Sequence, residues 1–482
     1  MADVKFERVT LTVPQGSSVN TVFTPTIAGF GTPKAVMYSC VTQGSVRSST
    51  SIGFFGPGTQ GASTQHCMGS STNSGLATSQ TAKMLFTTDS LSVPDNNGNA
   101  DVRFRSQNFI EDGVNLQLIL GVPSEDKVIE VLFIGGTDVA DVYIEFISWI
   151  NDTRITPGFE PSLVLTASVN RTPSSGQWAE NQWSVGVAVN DGLETQRCLA
   201  QHDKNAVAVT ESSNYLSSNF SASVGTSGIV SELQLTAFTA TGYSYTTTGT
   251  GTTTNVTMTM CIRLTGDAVV SVFDVAIPDT GDYVETGAGF TPFYGLIATG
   301  QGAVLDSLQN TNVTGFGLIS FDPNGMQSQT VTTLDGESSN SIAQSQSVDG
   351  SLALLDKDYR NGNYVVGGAP TFTASGWTFP LTVNPTVPLL GWGLAIGPGA
   401  AAGVTFDGPN IVPQTGTENV LYTFDENAEG TVASRFTGAT TYALAPGSDA
   451  LPTGLTVNAT TGNIEGTPTE VATRNITIRG SE

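Results

Sequence analysis

The chain is poor in charged residues, and basic residues are the scarcer kind. Charged residues make up 12% of its 482 residues, and 18 Lys and Arg against 42 Asp and Glu give a formal net charge of −24. Phosphate binding needs basic patches, and anionic membrane surfaces attract basic ones. We therefore expect no nucleic-acid partner and no attachment to an anionic membrane.

Long apolar runs are also missing. No window of about 18 consecutive apolar residues occurs, so we expect no insertion into a membrane. Residues 1–5 lack the basic region and the apolar stretch with which a secretory signal begins. These observations predict a protein that is made in a cytoplasm and keeps its thiols reduced.

Cysteine and histidine are too few to suggest a metal or nucleophile site. The cysteines are Cys40, Cys67, Cys198 and Cys261. None forms a Cys-x-x-Cys pair, and four do not make a disulfide framework in a chain of this length. His66 and His202 do not add up to the four ligands of a zinc site. We predict buried free thiols on strands, and no metal or cofactor.

Acidic residues offer two candidate sites, and both are weak. Asp138, Asp141 and Glu145 lie close in sequence, as a glycosidase pair would require, but they lie within one repeat of the chain, and the third repeat has no matching acids. Residues 322–325 resemble the start of a calcium loop but lack the final Glu of an EF-hand. We therefore predict a turn at 322–325, no catalytic residues, and a protein that is not an enzyme.

No long segment has the 3.6-residue apolar period of a helix. The sequence instead contains an internal repeat. Ser, Thr, Gly and Asn are abundant, which favours strand surfaces and tight turns. Three landmarks recur in the same order about every 130 residues. A Gly-Phe pair, a short spacer, Pro and an apolar run begin at Gly29, Gly158 and Gly289. A strand, a glycine-containing turn and a second strand begin at Ser51, Ser184 and Gly315. A polar residue, Gly and an alternating strand begin at Asp112, Thr241 and Ser375.

These landmarks predict an all-β protein of three tandem β-sandwich or jelly-roll-like repeats. Pro at the first residue of a strand costs no ladder hydrogen bond, and Gly accepts the backbone of a hairpin turn. Several short alternating strands in each unit are typical of antiparallel sandwiches. We place the repeats at residues 1–156, 157–287 and 288–412, with a separate domain at 413–482.

The last domain has a motif of its own. Residues 451–458 read Leu-Pro-Thr-Gly-Leu-Thr-Val-Asn, and residues 461–468 read Thr-Gly-Asn-Ile-Glu-Gly-Thr-Pro. Leu455 and Val457 alternate inward, Thr461 and Gly462 turn the chain, and Ile464 packs back. This stretch resembles the cadherin-like family of immunoglobulin-like domains. The resemblance implies a small β-sandwich that serves as a spacer or adhesive module.

The three repeats resemble modules of tailed-bacteriophage virion proteins. The likeness rests on the Gly-Phe start, the Thr-Gln-x-Cys hairpins at 64–67 and 195–198, and the close at Gly135-Gly136-Thr137-Asp138. The second and third copies depart from that close. The resemblance implies a virion protein that is assembled in the host cytoplasm, and immunoglobulin-like appendages are common on phage tails and capsids.

The leading hypothesis is a non-enzymatic structural protein of a tailed-phage virion, tail- or capsid-associated, decorating the surface. Its partners would be copies of itself and other virion proteins. The alternative is a phage fibre or adhesin that binds host-surface glycan, for which Trp178 and Trp183 are the candidate contacts. Packing in a core or interface is the other interpretation of these two residues. A polysaccharide depolymerase is the third hypothesis.

Overall fold

Strands are the only regular elements among the residues that the computed structural model describes, which confirms the all-β class. The described residues are 3–41, 47–58, 63–73, 80–94, 99–149, 154–170, 176–179, 181–203, 212–225, 228–249, 255–301, 305–309, 312–322, 325–335, 343–346, 353–357, 364–367, 371–384, 389–398, 405–406, 422–423, 436–437, 441–444, 448–470, 476 and 478–481.

The first sandwich pairs a large sheet with a small one. Its strands are β1 (Lys5–Val13), β2 (Val22–Phe23), β3 (Ala35–Val41), β4 (Arg47–Pro57), β5 (Ser63–Asn73), β6 (Gln80–Phe86), β7 (Leu91–Pro94), β8 (Ala100–Ile110), β9 (Gly113–Leu120) and β10 (Lys127–Gly135). The large sheet has the order β1-β10-β3-β4-β5-β6, and the small sheet has the order β2-β9-β8-β7. Neighbouring strands run antiparallel in both.

The second sandwich repeats this plan. Its strands are β11 (Val139–Ser148), β12 (Arg154–Ile155), β13 (Leu163–Val169), β14 (Gly176–Ala179), β15 (Asn181–Val189), β16 (Gln196–Asp203), β17 (Ser212–Ser217), β18 (Ser221–Gly225), β19 (Gly228–Thr239), β20 (Gly242–Gly249) and β21 (Val256–Leu264). The large sheet has the order β11-β21-β13-β15-β16-β17, and the small sheet has the order β12-β20-β19-β18.

The third sandwich keeps the large sheet and divides the smaller strands. Its strands are β22 (Ala268–Ile277), β23 (Tyr283–Glu285), β24 (Tyr294–Gln301), β25 (Ser307–Gln309), β26 (Asn312–Asp322), β27 (Gly325–Asp335), β28 (Ala343–Gln346), β29 (Ala353–Lys357), β30 (Tyr364–Gly367), β31 (Thr371–Thr373), β32 (Gly376–Phe379), β33 (Leu381–Val383) and β34 (Leu389–Pro398). The large sheet has the order β22-β34-β24-β26-β27-β28, and the smaller sheets are β23-β32-β31 and β29-β30-β33.

The three large sheets share one strand order. In each, the earliest strand of the sandwich lies at the edge, the latest lies beside it, and the strands between follow in chain order. The edge strand β11 therefore belongs to the second sandwich and β22 to the third, although the predicted domain limits placed them in the preceding units. Those limits fall late because the Gly-Phe landmark comes after the edge strand of each unit. The compact unit that holds the sandwiches ends at Pro398.

The first and third landmarks meet in each sandwich. The Gly-Phe glycines adopt positive φ, at 78°, 93° and 75° for Gly29, Gly158 and Gly289. Their amide nitrogens donate to Asp112 Oδ2 at 3.0 Å, Thr241 O at 3.1 Å and Ser375 O at 3.1 Å. A left-handed conformation suits glycine because other residues meet steric strain there. The repeated residues thus connect the start of one strand to the turn before another.

The hairpin landmark joins the large sheet to the small one. A Cβ at Gly53 would lie 1.6 Å from the carbonyl oxygen of Ser90, and one at Gly186 would lie 2.1 Å from that of Phe220. The absence of a side chain therefore lets a strand of the small sheet approach. The buried thiols of Cys67 and Cys198 lie opposite these two glycines.

The Gln of each Thr-Gln-x-Cys motif also joins the large sheet to the small sheet. Gln65 Nε2 donates to Ser106 O at 3.3 Å, and Ser106 N donates to Gln65 Oε1 at 3.0 Å. Gln196 Nε2 donates to Leu235 O at 3.0 Å, and Leu235 N donates to Gln196 Oε1 at 2.8 Å. Each Gln side-chain amide thus forms one donated and one accepted hydrogen bond with the backbone of the small sheet, as a neighbouring strand would. In the third sandwich the corresponding side chains lie outside the described residues.

The described side chains of each large sheet are buried on both faces. In β3, Val36 and Tyr38 face the small sheet, whereas Ala35 and Met37 face a second core. That second core contains residues of all three large sheets, including Phe6, Leu165 and Leu394. Burial on both faces explains why these strands read as continuous apolar runs rather than as an alternation.

The sandwiches close into a ring around this shared core. The edge strand of each packs against the fourth-position strand of another: β11 against β4, β22 against β15, and β1 against β26. The last contact joins the first sandwich to the third, where the rings of Phe6 and Tyr294 stack with centroids 4.7 Å apart. The sheets also extend one another, because β14 adds to β6 and β25 adds to β17.

The C-terminal unit comprises Gly399–Glu482. Its strands are β35 (Thr405–Phe406), β36 (Tyr422–Thr423), β37 (Phe436–Thr437), β38 (Thr441–Leu444), β39 (Leu455–Val457), β40 (Ile464–Gly466) and β41 (Ile478–Ser481). Val457 pairs with Ile464, and the turn between them has Gly462 at φ 73° with its amide donating to Asn458 O at 2.8 Å. The predicted turn is confirmed.

Candidate binding surfaces

The two tryptophans predicted to contact glycan lie in different strands. Trp183 is on β15 and only 3% exposed, because its side chain packs into the core shared by the three sandwiches. The prediction of Trp183 as a surface contact is therefore wrong, and the alternative of core packing holds. Trp178 pairs through its backbone with Lys83 of β6, and its side chain lies outside the described residues. Trp377 and Trp392 are buried.

The histidines and cysteines lie in the strands as ordinary packing residues. All four thiols are free and buried, as predicted, and burial raises the pKa of Cys67 and of Cys198 well above the usual value. His66 stacks on Phe146 with ring centroids 3.7 Å apart, and burial lowers its pKa to about 4. A raised thiol pKa disfavours the thiolate, which is the reactive form of cysteine.

The three acids of the glycosidase hypothesis have separate structural roles. Asp138 Oδ2 accepts the amide of Asp3 at 2.6 Å, and Glu145 Oε2 accepts the hydroxyl of Tyr143 at 2.6 Å. Asp141 forms an ion pair with Arg263. In the described part of the chain, no group of three or more His, Cys, Asp or Glu is arranged to hold a metal ion.

Two rows of neutral polar side chains cross the outer face of the first small sheet. In one row, Gln107 Nε2 donates to Gln117 Oε1 at 3.0 Å, and Gln117 Nε2 donates to Asn20 Oδ1 at 3.3 Å. In the other, Thr24 Oγ1 donates to Asn115 Oδ1 at 3.1 Å, and Asn115 Nδ2 donates to Asn108 Oδ1 at 3.2 Å. We call these six residues the amide rows.

The amide rows combine exposure with mutual support. Asn20, Thr24, Gln107 and Asn108 are exposed, and the two central residues of the rows are half-buried. Amides carry both donors and acceptors, so a row held by its own hydrogen bonds presents preoriented groups without net charge. Sequence reasoning missed this face because it depends on cross-strand register. Its only sequence signal is the Asn and Gln content of β8 and β9.

Exposed aliphatic side chains lie next to the amide rows. Val22 is 43% exposed on β2 and pairs with Gln117, while Val19 and Leu120 are 42% and 40% exposed. Val122, which follows β9, is 57% exposed. Hydrogen bonds from Asn20 N to Leu118 O at 2.7 Å and from Leu118 N to Thr21 O at 2.9 Å join the residues before β2 to the end of β9. We call these four aliphatic residues the apolar tip.

Comparison with known proteins identifies one domain. A family model described as "Putative Ig domain" matches residues 404–481, so the C-terminal unit carries an immunoglobulin-like domain. No curated protein matches the chain. In the described residues, no helix is long and apolar enough to span a membrane.

Proposed function

We propose that this chain is a non-enzymatic structural component of a tailed-phage virion, a tail- or capsid-associated surface protein that acts by protein–protein assembly. The ring of sandwiches is the observation that carries the proposal. Three sandwiches that share one core within a single chain form a broad, stiff body, and an immunoglobulin-like domain follows it. Such a body suits a decorating protein better than a flexible linker. The likeness of the repeats to phage virion modules adds the virion assignment.

Polar residues at the seams support a structural role. Arg197 forms a two-pronged ion pair with Asp274 across the second and third sandwiches, at 2.6 and 3.1 Å. Asp306 accepts the amide of Ser218 at 2.8 Å, and its own amide donates to Leu216 O at 2.7 Å. These groups serve assembly within the chain. The apolar tip is the surface we assign to contacts with further copies or other virion proteins, because clustered exposed aliphatics are typical of interfaces.

Purified particles test this proposal. Peptide mass spectrometry and immunogold labelling should find the chain on particles purified away from soluble lysate proteins. Replacing Val22 and Val122 with Asp should leave the chain folded and reduce its recovery with particles. The matched control is Leu193→Asp, at a residue that is 86% exposed on a hairpin of the second sandwich. Absence of the protein from purified particles would contradict the virion assignment.

Glycan binding is the second candidate function, and the amide rows favour it. Their neutral donors and acceptors match the hydroxyl groups of an uncharged polysaccharide, and Val22 beside them offers a surface for the apolar face of a sugar. The glycan contacts would then lie on the first sandwich rather than at the tryptophans.

A glycan array tests this second candidate. We expect the full chain to bind neutral host glycans and the double variant Asn115→Ala, Gln117→Ala to lose most of that signal. The matched control is Thr236→Ala, which removes the 3.2 Å hydrogen bond to Ser244 on the equivalent sheet of the second sandwich. Equal binding by both variants, or none by the wild type, would eliminate the amide rows as a glycan site.

A further inference from the structure

A small polar cavity lies inside the second sandwich. It measures about 190 Å³ with its mouth included, and its interior admits about one water molecule. Strands of both sheets line it. Its polar lining residues include Trp149, Ser168, Ser223 and Asn255.

One side of the cavity is a completed hydrogen-bond network. Trp149 Nε1 donates to Thr257 Oγ1 at 2.8 Å. The hydroxyl of Ser168 lies 2.7 Å from that of Thr257 and 2.5 Å from that of Ser221. These groups satisfy one another without help from a ligand.

The other side of the cavity is not satisfied. Ser223 Oγ and both Nδ2 and Oδ1 of Asn255 have no hydrogen-bond partner among the described residues. Both side chains are buried, and Asn255 is only 2% exposed. A buried polar atom without a hydrogen-bond partner has lost its hydration with nothing to replace it, which destabilises the fold. Three such atoms on two residues that line one space indicate that something polar fills it.

We propose that this cavity is a binding site for an ordered internal water that joins the two sheets of the second sandwich. Water both donates and accepts, and the three atoms offer both kinds of group: an amide N–H donor, a carbonyl acceptor, and a hydroxyl that does either. The size of the space selects water over a sugar ring, and the lining carries no charge that would hold an ion.

Crystal structures of the full chain test the site. We expect ordered density within hydrogen-bond distance of Asn255 and Ser223 Oγ in the wild type. The Asn255→Leu variant, which has a similar volume and no polar atoms, should lose this density. Ser223→Ala is the milder second variant and should weaken the density while keeping the fold.

Xenon supplies the control, because dry apolar cavities bind it and hydrated polar ones do not. Crystals of the wild type under xenon should show none in this cavity. The proposal is overturned by an empty cavity or bound xenon in the wild type. It is equally overturned by density for a larger solute, or by Asn255 turned onto protein partners with no water present.

Discussion

His66 should make the fold sensitive to mild acid. Its ring stacks on Phe146 across the seam between the first and second sandwiches, with centroids 3.7 Å apart. Its Nδ1 lies 3.2 Å from the carbonyl oxygen of Thr87. Burial disfavours the charged imidazolium, so the pKa in the folded chain falls to about 4 from 6.5.

The two pKa values set the pH range and the size of the effect. Above pH 6.5 the ring is neutral in both states, and its contribution to stability is complete. As the pH falls from 6.5 to 4, the unfolded chain takes up a proton that the folded chain rejects, so stability is lost. The gap between the pKa values corresponds to about 3 kcal/mol. Below pH 4 the loss is complete.

Two measurements check this prediction. Urea unfolding at pH 7 and pH 4 should show that wild type loses about 3 kcal/mol more than His66→Gln, which keeps a donor and does not titrate. NMR titration of the full chain should give His66 a midpoint near 4. Because the chain has only two histidines, the variant His202→Gln assigns the two ring signals. A midpoint near 6.5, or a wild-type-to-variant difference that does not change with pH, would refute the reasoning.

Three further predictions concern stability, each measured by thermal or urea unfolding. Gly53→Ala should separate the two sheets of the first sandwich and lower the free energy of unfolding by more than about 3 kcal/mol. Gly192→Ala, at a positive-φ glycine with open space around it, should lower the free energy of unfolding by only about 1 kcal/mol. Equal losses of stability in these two glycine variants would contradict the prediction. Arg8→Met removes the 2.5 Å ion pair between the buried side chains of Arg8 and Glu130 and should cost about 3–5 kcal/mol, with partial recovery on adding Glu130→Leu. Gln196→Leu should cost about 1–3 kcal/mol by orphaning two backbone groups, and an unchanged melting temperature would rule out the amide junction.

Much of the fold could be predicted from local sequence signals. Each repeated landmark corresponds to a backbone requirement, such as the positive φ of Gly29 or the close approach at Gly53. The turn at Gly462 was predictable for the same reason. Turn and strand signals depend on neighbours in the chain, so a single sequence contains them.

The contacts between sandwiches could not be predicted in this way. The pairing of Phe6 with Tyr294 joins residues far apart in the chain, and nothing local in either strand specifies the partner. The same limit produced the error at Trp183, since a tryptophan in an alternating strand can face solvent or a second core. The amide rows likewise depend on the register between β8 and β9.

The most direct test of the account is an averaged cryo-electron microscopy map of purified particles, at a resolution that separates β-sandwiches. The account predicts surface density for three sandwiches around one shared core, joined by a further small domain at a fixed site on the tail or capsid. Particles whose surface density contains no such three-lobed body, although the protein is abundant in the producing cells, would contradict it.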